Sequence, residues 1–140
     1  MKYDDATWHY DNTSQIGKPN EYAATHIGLF LKWCILKGWA GELHTDEDAD
    51  ELTSVIEGTM SGTDFLTSYC DCQLTDEDLN EEGNLFAQQY YGPEGLYLND
   101  YARVFQEHMY KSPESEVDFE VFSKMMNARL KSCILTKSSA

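Results

Sequence analysis

Apolar residues along this chain recur mostly at helical spacing, and capping chemistry stands ahead of several of the runs. Ala23, Ile27, Phe30, Leu31 and Cys34 occupy i, i+4, i+7, i+8 and i+11, one stripe of a helix that starts at Pro19. Leu29, Trp33, Ile35 and Leu36 add apolar side chains on its other faces, which predicts a central helix stopped by Gly38 and Gly41. Thr45-Asp46-Glu47-Asp48 reads as an N-cap followed by acids that favour the positive end of a helix dipole. Leu52, Val55 and Ile56 then face inward and Gly58 ends the helix. A short third helix is expected over about 62–69, with Phe65, Leu66 and Tyr69 inward. Thr75-Asp76-Glu77-Asp78 repeats the cap ahead of Leu79, Leu85, Phe86 and Tyr90, with Gly83 inside the pattern. Beyond the turn Gly92-Pro93-Glu94-Gly95, a stripe of Leu98, Tyr101, Ala102 and Phe105 predicts another helix. Ser112-Pro113-Glu114-Ser115 breaks it, and Val117, Val121, Phe122, Met125, Met126 and Leu130 predict a last one.

Strand signals are sparse. Only 70–74 reads as extended, and it is short. The N-terminal stretch carries turn chemistry in Asp11-Asn12-Thr13-Ser14 and Gly17, together with Tyr3, Trp8 and Tyr10. It is expected to be an irregular arm pinned by its aromatics. The pattern as a whole predicts a mainly α fold, a compact single-domain bundle of five or six helices spanning 1–140, with 135–140 as a frayed tail. The expected core rests on Ile27, Phe30, Leu31, Cys34, Leu52, Ile56, Phe65, Phe86, Phe105 and Phe122. At 140 residues, 41% of them hydrophobic, the chain can bury such a core without a disulfide or a metal. The two Thr-Asp-Glu-Asp tetrads have unlike neighbours, so they share capping chemistry and are not an internal repeat.

Charge changes the picture more than composition does. The formal net charge is -15, from 25 acids against 10 bases. Residues 38–102 contain 16 of those acids and no Lys or Arg, while the rest of the chain is nearly neutral. A one-sign field of this kind costs stability through self-repulsion and speeds the arrival of a cationic partner. It opposes general binding to nucleic acid, which depends on cations that neutralise phosphates, and it opposes anionic membrane surfaces. The opening Met1-Lys2-Tyr3-Asp4-Asp5 places acids where a signal peptide has an apolar run. The longest apolar stretch, 27–36, is interrupted by Lys32 and is too short to span a bilayer. A cytoplasmic location with Cys34, Cys70, Cys72 and Cys133 reduced is expected.

Candidate chemistry is thin. Asp46, Asp48, Asp50 and Glu57 match positions 1, 3, 5 and 12 of a calcium loop, but Glu51 stands where the sharp turn needs glycine. Cys70-Asp71-Cys72 is a C-x-C with no second Cys/His pair near it in sequence. No metal and no cofactor are expected. His9, His26, His44 and His108 belong to no recognisable catalytic motif, and His26 borders the core stripe of the first helix. Tyr90-Tyr91 and Trp8-His9-Tyr10 suit either interface anchors or core packing.

Three blocks carry a resemblance. They are Met1-Lys2-Tyr3-Asp4-Asp5-Ala6-Thr7-Trp8-His9-Tyr10, then Ala24-Thr25-His26-Ile27-Gly28-Leu29-Phe30-Leu31-Lys32-Trp33, and then Thr75-Asp76-Glu77-Asp78-Leu79-Asn80-Glu81-Glu82-Gly83-Asn84-Leu85-Phe86-Ala87 with Tyr90-Tyr91. In that order they resemble a family of small, acidic bacterial proteins of uncharacterised activity. The likeness runs from Met1 to about Phe105, and Cys72 stands outside its pattern. It implies no catalytic residues. Some proteins of this sort look like immunity proteins encoded beside polymorphic or contact-dependent toxins. The leading expectation is therefore a binding protein that covers the basic surface of a toxin, a nuclease first of all. Its contacts would be Asp46, Glu47, Asp48, Asp50, Asp76, Glu77, Asp78, Glu81, Glu82, Tyr90 and Tyr91. The alternatives are a housekeeping interaction protein, or an enzyme or metal-dependent module centred on His26, Trp8-His9 or the 46–57 run.

Overall fold

A helix that is apolar on every face has to be surrounded, and Thr25–Leu36 is: ten of its twelve residues are buried. The computed structural model describes residues 2–9, 24–91, 97–105 and 116–132. In chain order the elements are β1 (Lys2–Asp5), a 3-10 turn (Ala6–His9), α1 (Thr25–Leu36), α2 (Glu42–Glu47), α3 (Ala49–Glu57) and α4 (Gly62–Tyr69). They continue with β2 (Gln73–Thr75), a second 3-10 turn (Asp76–Asp78), α5 (Glu81–Tyr90), α6 (Tyr97–Phe105) and α7 (Glu116–Ser132). The fold is mainly helical, with a two-stranded sheet, around one core. Among the described residues no helix is long and apolar enough to cross a membrane.

α4 lies closest on α1, and glycine makes the approach possible. A Cβ on Gly62 would stand 2.1 Å from the Gly28 carbonyl oxygen, and one on Gly28 would stand 2.5 Å from the Thr63 nitrogen. Neither gap leaves room for a side chain, so the two backbones touch directly. The opposite flank of α1 is aromatic. Phe30 stacks on Phe86 of α5 and meets Tyr91 and Tyr97 edge-on, with ring centroids 4.8 and 5.0 Å away.

Eight of the ten expected core positions are buried: Ile27, Phe30, Leu31, Cys34, Leu52, Phe65, Phe86 and Phe122. Ile56 is not. It is 55% exposed, because Leu52 and Val55 already fill the inner face of the short α3 and Ile56 falls in a surface groove with Leu36 and Phe119. The Phe105 side chain lies outside the described residues, as do the expected helix start at 19–23, the remainder of the arm from Tyr10 to Lys18 and the tail at 135–140. Tyr69, Leu98 and Val121, expected inward, are 41%, 39% and 45% exposed. On α6 the inward register is carried by Tyr97 and Tyr101.

Two segments differ more deeply. The N-terminal stretch is not irregular where it is described. β1 pairs antiparallel with β2, matching Lys2 with Thr75, Asp4 with Leu74 and Asp5 with Gln73, with an irregularity between Lys2 and Asp4. Its burial pattern is not the alternation that marks a half-exposed strand, since Tyr3, Asp4 and Asp5 are all buried. Thr45 is not a helix cap either. The helix has already begun at Glu42, and the Thr45 hydroxyl donates back to the Glu42 carbonyl at 3.3 Å. The break comes at Asp48, whose side chain turns to His44, so one expected helix becomes α2 and α3. The backbone across the calcium-loop spacing is therefore mostly helical. Thr75 does cap, but it caps the 3-10 turn, and Asn80 caps α5 by accepting from Gly83 N at 2.9 Å.

The α1–α4 contact yields a first prediction. Gly62→Ala should force the two helices apart and cost about 1–3 kcal/mol, the usual penalty of overpacking. Chemical denaturation reads it as a lower midpoint. An unchanged midpoint would show that the helices separate freely.

Candidate functional site

Residues 39–41 and 78–80 run side by side in opposite directions. Gly41 N donates to the Asp78 carbonyl at 3.0 Å, Asn80 N donates to the Trp39 carbonyl at 2.8 Å, and Ala40 bridges Leu79. A Cβ on Gly41 would lie 2.3 Å from the Glu77 carbonyl oxygen, so a larger residue would push the two segments apart. This pairing starts α2 at Gly41 and carries His44 to Asp78. The His44 ring is fully buried, with Nε2 2.7 Å from Asp78 Oδ1 and Nδ1 2.8 Å from Asp48 Oδ2. Phe65 meets it edge-on at 5.0 Å. Asp78 Oδ2 accepts from Thr75 N at 2.8 Å, and Cys70 Sγ lies 3.6 Å from His44 Nε2. Burial opposes a charge on the His44 ring. The carboxylates of Asp78 and Asp48 outweigh it and raise the ring's pKa. Burial, with Asp78 beside it, pushes the Cys70 thiol far up.

One histidine thus joins an acid from each Thr-Asp-Glu-Asp tetrad. Around this tie Asp46, Glu47, Asp50, Glu77, Glu81 and Glu82 are exposed, and Asp48 and Asp76 are half-buried. Among the described residues no Lys or Arg pairs with those six exposed acids. The bases gather elsewhere. A groove of about 500 Å³ between α6 and α7 is lined by Arg103, Lys124, Arg129, Val104 and Val121, with Asp100 paired to both arginines.

Three expected contact residues are not at the surface. Asp78, Tyr90 and Tyr91 are 4%, 5% and 5% exposed, because each is a partner in a buried polar tie. Tyr91 donates its hydroxyl to Asp4 Oδ2, and His26 Nε2 lies 3.0 Å from the same oxygen. Tyr90 donates to Asp100 Oδ2 at 2.7 Å, where Arg129 also binds through Nε at 2.6 Å and through its terminal nitrogen to Oδ1 at 3.0 Å. His26 is 1% exposed, with its ring against Tyr101. That is the placement of a structural histidine. Trp8 is exposed and lies 5.6 Å from the Lys2 ammonium. The His9 side chain and Tyr10 lie outside the described residues.

Sequence reasoning missed Asp4 and Asp100 as anchors and gave His44 no role. The signal for His44 was there, since it precedes Asp48 by four residues on one helical face. Nothing local marks Asp4, whose Tyr91 partner stands 87 residues away; Asp100 had a local signal in Arg103, three residues on in the same helix, but its ties to Tyr90 and Arg129 had none.

These features define a small, acidic, mainly helical domain whose buried carboxylates are held by histidine, tyrosine and basic side chains, with exposed acids next in sequence to the two aspartates that His44 joins. The chain belongs to the family described as Domain of unknown function (DUF7832), which matches residues 2–115. α7, which supplies Phe122, Met126 and Arg129, follows the matched span. No curated protein and no solved structure matches the chain.

The Asp100 tie gives an acid-stability prediction. Arg129 first, then Tyr90 and Arg103, hold the Asp100 carboxyl below its ordinary value of 3.8. A depressed carboxyl stabilises the fold fully above the unfolded value and ceases to do so as pH falls through the folded one. Thermal unfolding should therefore lose midpoint on acidification below about 4, where unfolded aspartate begins to take up protons. In Asp100→Asn this part of the acid slope should vanish. A variant with the wild-type slope would show that other groups carry it.

Proposed function

We propose that this chain is a small acidic binding protein of the immunity type, which neutralises a toxin by covering its basic surface. The observation that carries the reading is the His44 tie. It gathers two acidic stretches, thirty residues apart in sequence, beside one another with Asp46, Glu47, Asp50, Glu77, Glu81 and Glu82 exposed. A nuclease toxin suits such a face best, because an enzyme with an anionic substrate carries a cationic site. Acids fixed on short helices meet that site with little loss of freedom on binding. The same face repels nucleic acid and anionic membranes. The reading places the protein in the cytoplasm, and it assigns no reaction and no catalytic residue.

Rim charges of this kind act mainly through the rate of encounter. The test is capture of the partner from the native host, then association kinetics at two salt concentrations for wild type and for Asp46→Lys/Asp50→Lys/Glu81→Lys/Glu82→Lys. The quadruple variant should keep its fold by circular dichroism and associate at least about tenfold more slowly, with a weaker dependence on salt. A partner whose association responds neither to salt nor to these changes would reduce the face to a solvated surface and end the reading. Protection of host cells from the captured partner, lost in the quadruple variant, separates an inhibitor from a housekeeping interaction protein.

A further inference from the structure

Cys70 stands just past the end of α4, twenty-six residues from His44 in sequence, yet its sulfur faces the nitrogen that also faces Asp78. One ligand atom from each of His44, Cys70 and Asp78 lies within 4.8 Å of the other two. Imidazole nitrogen, thiolate sulfur and carboxylate oxygen together form a donor set typical of zinc. We infer that His44 Nε2, Cys70 Sγ and Asp78 Oδ1 form a binding site for a divalent cation of the zinc class, with Asp48 orienting the histidine. The inference does not rest on the proposed partner.

One ligand separation fits a tetrahedral ion as it stands, and the contacts around the cluster orient two of the ligands. Ligand atoms around a tetrahedral zinc stand about 3.3–3.6 Å apart, given bonds of about 2.0–2.3 Å. The separation of 3.6 Å between His44 Nε2 and Cys70 Sγ meets that spacing directly. The 2.7 Å gap between His44 Nε2 and Asp78 Oδ1 is a hydrogen bond. It has to open by about 0.6 Å to admit the ion. Metal-binding histidines commonly pass their second ring proton to a carboxylate, which fixes both tautomer and ring plane. Asp48 does this at Nδ1 from 2.8 Å. Asp78 is oriented as well, because Thr75 N holds its other oxygen and leaves Oδ1 for the ion. Three ligands from α2, the turn after α4 and the second 3-10 turn leave a fourth position for water.

Binding is an exchange of protons for metal. The ion forms bonds to nitrogen, sulfur and oxygen. The thiol proton of Cys70 and the proton shared between His44 Nε2 and Asp78 Oδ1 leave to solvent. Two protons out and one divalent cation in leave the local charge unchanged, so the site does not depend on neutralising the surrounding acids. The C-x-C spacing of Cys70 and Cys72 is not the basis of the site, because Cys72 is not among these ligands.

Titration of the metal-free full chain with cobalt(II), followed by absorbance, tests this. The expected result is saturation at one equivalent, with a thiolate-to-cobalt charge-transfer band that zinc then removes. Cys70→Ser should lose the band and weaken zinc binding at least about tenfold, whereas Cys72→Ser should leave both unchanged. Asp48→Asn should keep the band and weaken the ion by about 10–100-fold, the effect of losing an orienting partner. Zinc should also raise the thermal midpoint of the unmutated chain, which needs no variant to fold. Failure to saturate, a band that survives Cys70→Ser, zinc uptake that calcium competes away, or a thermal midpoint that zinc leaves unmoved would each overturn the site. None of these outcomes depends on whether a basic partner exists.

Discussion

Buried carboxylates, each of which must be paired and hydrogen-bonded, are the constraint on which this structure depends. Burying a charge is costly unless it is paired and hydrogen-bonded. Asp4, Asp78 and Asp100 are all buried in a chain whose residues 38–102 carry no strong base. Histidine or tyrosine takes part at Asp4, Asp78 and Asp100, while Arg129 and Arg103 also bind Asp100 and Lys2 binds the buried Asp5. Asp4, Asp78 and Asp100 each tie elements across the fold. Asp4 of β1 is held by His26 of α1 and by Tyr91 at the end of α5. Asp78 binds α2 through His44, and Asp100 joins α6 to α5 through Tyr90 and to α7 through Arg129. Losing one partner would leave a charged group buried and short of a bond, a loss of about 1–3 kcal/mol or more. The polar ties thus fix which elements lie together, while the aromatic cluster around Phe30 supplies apolar burial that is less selective.

What could be read in the sequence follows from this division. The helical stripes were legible, because a stripe is a local pattern and eight of the ten expected core residues lie on the inner side. Ile56 and Leu98 were misread because a short helix has room for only one or two inward positions per turn, and hydrophobicity alone does not say which neighbour takes them; on the longer α7 Val121 lines the open groove beside α6. β1 was illegible for a different reason. Tyr3-Asp4-Asp5 reads as polar and exposed until His26, Tyr91 and Thr7 are known to surround the two acids. The acidic character of the candidate site was plain in the charge pattern. Its assembly was not, because the antiparallel contact of 39–41 with 78–80 leaves no periodic trace in either segment.

The two described histidines show how environment decides between roles. Both are buried and both face aspartate. His26 has Asp4 on Nε2 and Tyr101 against its ring, and it sits in the middle of the apolar core. His44 has a carboxylate on each nitrogen and a cysteine sulfur beside Nε2, at the border between core and acidic surface. The first arrangement holds a helix and a strand together. The second offers three kinds of donor atom to whatever enters, and it lies beneath the face proposed to meet a partner.

The pairing of β1 with β2 also has a consequence for the order of events during synthesis. Lys2 and Asp4 leave the ribosome long before Thr75 and Leu74, and Tyr91 follows later still. Closing so long a loop is slow, since its entropy cost precedes the contacts that offset it. Until Tyr91 has emerged, Asp4 lacks the hydroxyl that reaches it across the fold, and α1, apolar on nearly all sides, has no complete shell. β1 is made well before its partners and is among the last elements to dock, and α1 spends the interval as the stretch of the nascent chain most in need of protection from its neighbours.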